Sequence, residues 1–131
     1  MILNKSAMFS SFYLPYGSNH KSIGEGLLVM HGFSTIINCT SMGNNCVVFQ
    51  QVTIGATEKG TPCIGDNVII YSGAKVLGDV TIGDDVVIGA NAVVVKDVPS
   101  HSMVVGVPAR IIKRRSSISD EWHNINNESI I

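Results

Sequence analysis

From Ile64 to Val94 a large aliphatic residue returns at every sixth position: Ile64, Ile70, Val76, Ile82, Ile88 and Val94. Four residues after each stands a second apolar side chain, Val68, Ala74, Val80, Val86, Ala92 or Val98. An amphipathic helix needs apolar spacings of three and four, and a half-buried strand needs strict alternation; a period of six held this long is neither. It fits a parallel β-helix, in which each hexad is a short strand and a corner, three hexads close one triangular coil, and the aliphatic side chains stack as a ladder down the axis. Gly65, Gly83 and Gly89 follow ladder positions, and Asp66, Asn67, Asp84 and Asp85 come next. These residue types tolerate the backbone angles of tight corners. An antiparallel sheet of hairpins would draw on the same Val, Ile and turn residues. Hairpins, however, reset the side-chain alternation at every turn, and here one phase persists throughout.

Upstream the beat is less regular. Ile36, Met42, Val48 and Ile54 stay in step, "MGNNCV" echoes "IGDNVI" and "IGDDVV", and Ile23 and Val29 belong one residue out of phase. The expected organisation is an N-terminal capping segment over 1–22, a β-helix of about four coils over 23–112 and a tail over 113–131. Ile54 and Ile64 stand ten residues apart instead of six, so four residues within "GATEKGTPC" are extruded as a projecting loop. Polar, Gly-containing loops on a rigid scaffold are where binding chemistry tends to sit. In the tail, "KRRSSISDEWHNINNESII", Ser and Asp ahead of "EWHNI" predict one short capped helix. Lys113, Arg114 and Arg115 read as a solvated exit, and Trp122 as a cover over the open end of the coils.

The chain has 131 residues, which suits one domain with one core. Nine Lys and Arg against ten Asp and Glu leave a net charge of -1, without the basic surface that nucleic acid or an anionic membrane selects. Small molecules or protein partners are expected instead. Charged residues make up 15% and hydrophobic ones 45% of the sequence, too little polar material to cover a lone small domain, so burial between subunits is expected. Cys39, Cys46 and Cys63 are an odd set without a CxxC pair, which points away from a disulfide framework or zinc knuckle and toward a reducing compartment. They read as small apolar residues, Cys46 in an inward slot. No stretch has the make-up of a signal peptide or a membrane span, so the reading is a soluble, cytoplasmic protein.

His31 in "VMHGFSTIIN" is the residue that an extended apolar segment does not ask for. It lies two after Val29, and the equivalent slots in later coils are Gln50, Ser72 and Ala90. The beat therefore predicts one column of these four residues, with successive coils about 4.8 Å apart and His31 at one end of a narrowing ledge. The small corners Ser72-Gly73 and Ala90-Asn91 would let a ligand bearing amides approach the backbone closely. An unperturbed imidazole titrates near 6.5 and suits proton abstraction near neutrality. A structural His bonded to a neighbouring carbonyl is the alternative.

The blocks "MHGFSTIIN", "FQQVTIGAT", "TPCIGDNV", "YSGAKVLGDVTIGDDVVIGANAVVVKDVP" and "VVGVPARII" follow one another in an order that resembles the hexapeptide-repeat acyltransferases, above all serine O-acetyltransferases and related sugar O-acetyltransferases. The resemblance implies an all-β fold, a single-stranded left-handed parallel β-helix. Left-handedness rests on it alone, since parallel crossovers are otherwise nearly always right-handed. It further implies a homotrimer, acetyl-CoA as donor in the groove between subunits, and His31 as the general base acting on a small-molecule acceptor hydroxyl. The Gly55-Ala56 loop would offer a backbone N–H to the developing oxyanion, and Ser72, Gly73, Ala90 and Asn91 would carry the pantetheine arm. Arg110 in "GVPARII" would meet the nucleotide end. Gln50 and Thr57 are taken as acceptor-binding, and no metal is expected.

The chain also departs from that family. "SFYLPYGSNH" has no Asp to orient the base, leaving Glu25 or a carbonyl for the task, and Thr61 stands where the family has a second His. A saccharide hydroxyl thus rivals serine as acceptor. Two further readings are a non-catalytic interaction scaffold and a metal-dependent hydratase of the carbonic anhydrase kind. The hydratase needs about three converging His, and of His20, His31, His101 and His123 only His31 falls within the regular coils.

Overall fold

The β-branched ladder residues and the αL-tolerant corners produce strands of two or three residues that turn, stack and pair in parallel with the coil below. The computed structural model describes residues 12–13 and 22–125. The capping segment expected over 1–22, His20 included, therefore lies mostly outside the described residues. Three sheets form the faces of the prism. The first runs β1 (Phe12–Tyr13), β3 (Thr35–Ile37), β6 (Thr53–Gly55), β9 (Lys75–Leu77) and β12 (Val93–Val94). The second orders β4 (Ser41–Met42), β7 (Cys63–Ile64) and β10 (Thr81–Ile82). The third runs β2 (Leu28–Val29), β5 (Val47–Val48), β8 (Ile69–Ile70), β11 (Val87–Ile88) and β13 (Ser102–Val105), and is extended by β14 (Arg110–Arg114) and β15 (His123–Asn124).

All twelve ladder residues from Ile64 to Val98 are buried. In register, Val48, Ile70 and Ile88 stack on one face, Ile54, Val76 and Val94 on another, and Met42, Ile64 and Ile82 on the third. The cysteines join this packing: Cys46 and Cys39 are buried and all three are free. Burial pushes the Cys39 thiol up to about 11, with nearby Cys63 and Cys46 adding to the shift.

Two polar devices hold the corner between the second and third sheets. Asn45, Asn67, Asp85 and His101 stack with φ of 57, 55, 54 and 58°, the left-handed region that Asn and Asp enter most readily. Beside them the side chains of Asn44, Asp66, Asp84 and Ser100 accept hydrogen bonds from the backbone N–H groups of Glu25, Asn44, Asp66 and Asp84 at 2.7–2.9 Å. Each coil thereby satisfies a donor of the coil before it.

The structure corrects the register at one strand. Ile36 was expected in the ladder, but it is exposed while Ile37 is buried and pairs with Ile54. The segment from Val29 to Ile37 holds two residues more than a hexad, and the next step, to Met42, holds one fewer. Thr35 fills the preceding inward slot, its hydroxyl donating to the carbonyls of Phe33 and Phe49.

The tail is a second correction. In place of the expected capped helix, β14 pairs antiparallel with β13 and β15 with β14, and Asp120 N–H donates to Ser117 O in a turn. The last strand of a parallel sheet leaves a row of unpaired backbone groups, and an antiparallel ribbon covers it. That gain is nonlocal and outweighs the local capping signal. Trp122 does not cover the coil end either. Ala109 and Ile111 pack on the core, whereas the Trp122 ring lies 4.3 Å from the Arg115 guanidinium carbon.

Candidate functional site

The two surplus residues before Thr35 are His31 and Gly32, and they leave the coil as a bulge. Met30 N–H donates to Val48 O at 2.8 Å on one side, and Gln51 N–H to Phe33 O at 2.6 Å on the other. Between these anchors Phe33 N–H turns back to His31 O, with φ of 62° at His31 and 34° at Gly32. Left-handed backbone also forms the ordinary corners at Asn45, Asn67, Asp85 and His101, so what sets His31 apart is the pair of surplus residues and not its φ. The His31 side chain is exposed and makes no hydrogen bond or ion pair to a described residue. Glu25, a candidate orienting partner, is not paired with it.

The bulge alters the predicted column. Gly73 N–H donates to Gln50 O at 3.1 Å and Asn91 N–H to Ser72 O at 3.0 Å, so Gln50, Ser72 and Ala90 do stack. The fourth slot belongs to Phe33, whose carbonyl receives Gln51, and not to His31. His31 stands outside the column, at its end. Lys75 Nζ donates to the carbonyls of Gln51 and Gly73 at 3.1 and 2.7 Å and fixes this corner. Gly73 has φ of 76°, and a Cβ there would lie 2.0 Å from Asn91 Oδ1, so only glycine keeps the ledge between Ser72 and Asn91. The amide oxygen of Gln50 is sealed from solvent and has no hydrogen-bond partner among the described residues. Buried acceptors are nearly always satisfied.

The other predicted residues lie elsewhere on the prism. Gly55 is buried at the end of β6 and Ala56 is exposed beyond it. The projecting loop follows, closed by Thr57 and Gly60, whose N–H groups donate to each other's carbonyls at 2.9 and 3.1 Å. Thr57 and Lys59 line a shallow cavity of about 300 Å³ with Leu77, Gly78, Asp79 and Val95. Arg110 opens β14, exposed, and lines another of about 210 Å³ with Val94, Lys96, Pro108 and Ile111. Neither cavity includes His31. One chain thus joins His31 to the Gln50–Ser72–Ala90 corner but not to Thr57 or Arg110.

A third cluster escaped the sequence reading. Arg115, expected in solvent, is largely covered: its Nε donates to Asp85 Oδ2 at 2.8 Å and its Nη2 to Asp85 Oδ1. His101 Nδ1 meets Asp85 Oδ2 at 2.8 Å. The one available signal was an acid at a corner where the preceding coils carry Asn45 and Asn67. Among the described residues, no three His, Cys, Asp or Glu side chains gather as a metal site would require. No helix among them is long and apolar enough to cross a membrane.

Comparison with known proteins agrees with this geometry. The family model of the bacterial transferase hexapeptide (six repeats) matches residues 64–96, the stretch with the unbroken beat. The chain is 48% identical over 97 residues to a serine acetyltransferase of Staphylococcus aureus strain Mu50, covering 70% of this chain and 46% of that protein. It superposes on the crystal structure of Neisseria gonorrhoeae serine acetyltransferase with a TM-score of 0.65 at 38% identity, covering 69% of this chain and 38% of that one. A serine acetyltransferase in complex with CoA gives a TM-score of 0.65 at 35% identity, covering 70% and 39%. The chain spans about half the length of the curated relatives it matches, or less. By its stacked coils and by these likenesses, the chain carries the bacterial transferase hexapeptide repeat over residues 64–96 and resembles serine acetyltransferases over about 70% of its length.

Proposed function

We propose that the chain is an acetyl-CoA-dependent O-acetyltransferase in which His31 is the general base for an acceptor hydroxyl, that of L-serine or a saccharide. The observation that carries this reading is the bulge, which spends two extra residues on displaying one imidazole beside a column of small corners. Relatives named serine acetyltransferase, and one such structure with CoA, support the reaction class.

The ledge suits an extended, amide-bearing arm: Gly73 and the small Ser72 and Ala90 leave the backbone within reach of such a ligand. Arg110 and Lys96, at the last coil, bring positive charge to a cavity wall that fits a phosphate-bearing end. Acetyl-CoA supplies an activated acetyl group when bound; the rest falls to the chain. A ring nitrogen of His31 takes the acceptor hydroxyl's proton, and Gln50, at the head of the neighbouring column, stands on the acceptor's side of the site. Thr57 offers a second polar contact, and an N–H of the Gly55-Ala56 loop stabilises negative charge on the reacting carbonyl oxygen.

Because His31 shares no cavity with Thr57 or Arg110 in one chain, the site is completed in a trimer. The outward row of the third sheet, Leu28, Val47, Ile69, Val87 and Met103 in register, is apolar throughout and suits burial against another copy. Three free thiols, two of them buried, fit a reducing cytoplasm. The test is release of coenzyme A thiol from acetyl-CoA with a panel of amino acids and sugars. The reading expects release that depends on a hydroxyl-bearing acceptor. No release with any acceptor would favour a scaffold, and release indifferent to the acceptor would mean transfer of the acetyl group to water and overturn the acceptor role.

A further inference from the structure

We infer that Asp85 and Arg115 form a clamp that positions the Arg110 wall of the cavity at the last coil; the inference rests on the reading of that cavity as the donor's. Asp85 occupies the corner column of Asn45 and Asn67 and is 4% exposed. An unpaired carboxylate there would be strongly disfavoured, so a charge in place of Asn calls for a partner. It has two. Arg115 engages both oxygens with the planar fork that matches a carboxylate, and His101, the next residue of the column, donates from Nδ1.

Arg115 is held on further sides. Its N–H donates to His101 O at 3.1 Å, its Nη1 to Asp120 O at 3.4 Å, and the Trp122 ring lies against its guanidinium. It directly follows β14, whose other end is fastened where Ala109 N–H donates to Val93 O at 2.9 Å. The ribbon is therefore pinned at both ends, and between the pins Arg110 and Ile111 form a wall of the cavity shared with Val94 and Lys96. A ribbon on a last coil, with no further coil stacked over it among the described residues, is the part of a solenoid that frays first. The polar partners of the Asp85 and Arg115 side chains are each other, His101 and Asp120, none of which lines the cavity; the pair acts through β14, and both are positioning residues.

The experiment compares Asp85→Asn, Arg115→Met and the conservative Arg115→Lys in the full chain. Asp85→Asn installs the residue its own column already uses, which keeps the coil intact. Hydrogen exchange of amides 110–115 and 123–125 should quicken about tenfold in the first two variants while amides of the 64–94 coils hold their protection. KM for acetyl-CoA should rise about fivefold or more with kcat within about twofold, the pattern of lost binding geometry, and Arg115→Lys should fall between these and wild type. Unchanged exchange in the ribbon overturns the clamp. Faster exchange with unchanged KM overturns the positioning role, leaving a fastening alone. An inactive wild type would instead sink the donor reading, and this inference with it.

Discussion

Glycine at the second position of a hexad is set by a neighbour's side chain more than by its own backbone angle. A Cβ on Gly65 would lie 2.4 Å from Asp84 Oδ1 and 2.8 Å from the Gly83 carbonyl carbon, and one on Gly43 would lie 2.2 Å from Asp66 Oδ1. Those oxygens are the acceptors that tie one coil to the next, so the glycine and the Asx residue that follows form one unit. Gly65→Ala must shift backbone and should destabilise the fold by about 2 kcal/mol, read as a lower urea midpoint at fixed protein concentration. An unchanged midpoint would mean the coils part without cost. In the ladder, Ile70→Ala should cost about 3 kcal/mol by cavity formation. Both positions were legible in the sequence, because a six-residue period fixes inward slots and corners together. Gln50 was legible by slot, but its sealed amide oxygen was not, since satisfaction of a buried atom depends on what other coils bring near it.

At the scale of elements, the two misread segments share a cause: a local pattern with two solutions, decided by a distant strand. "TIIN" offers two adjacent isoleucines, and the choice of Ile37 over Ile36 follows from pairing with β6 across the bulge. "SSISDEWH" carries helix-start residues, yet the exposed edge of β13 recruits the tail as strand. The clamp at the end of that ribbon was equally invisible, since Asp85 and Arg115 lie thirty residues apart. Its pH dependence has a definite sign. Burial alone would raise the Asp85 carboxyl, but hydrogen bonds from Arg115 and His101 outweigh it and hold the group below its ordinary 3.8. A carboxyl depressed in the fold stabilises it fully above the unfolded value and loses that contribution as pH falls through the folded one. The difference in melting temperature between wild type and Asp85→Asn should therefore persist from neutrality down to about pH 3.8 and close only below it. A difference that closed well above that pH would show that another group carries the clamp.

The whole molecule is a prism with three unlike faces. The second sheet presents Ser41, Cys63 and Thr81 outward in register, and the first presents Thr53, Lys75 and Val93. The third presents an unbroken apolar row, with Leu28 51% exposed. In the proposed trimer such a row, in a chain of few charges, is the face that would meet other copies. Ile69→Glu would bury charge there, and light scattering should report a fall from trimer to monomer; a trimer that survives it would move the interface to another face. The composition leads to the proposed burial between copies, and the period foretold the prism. Neither foretold that His31 and the two cavities would lie apart on one chain: the cavities gather at the corner that follows the first sheet, and His31 at the corner that follows the third. The proposed chemistry turns on the bulge at His31, and the most direct measurement is acetyl transfer by His31→Ala in assembled protein of unchanged mass. The account expects turnover to fall by about a thousandfold or more, and turnover close to the wild-type rate would contradict it.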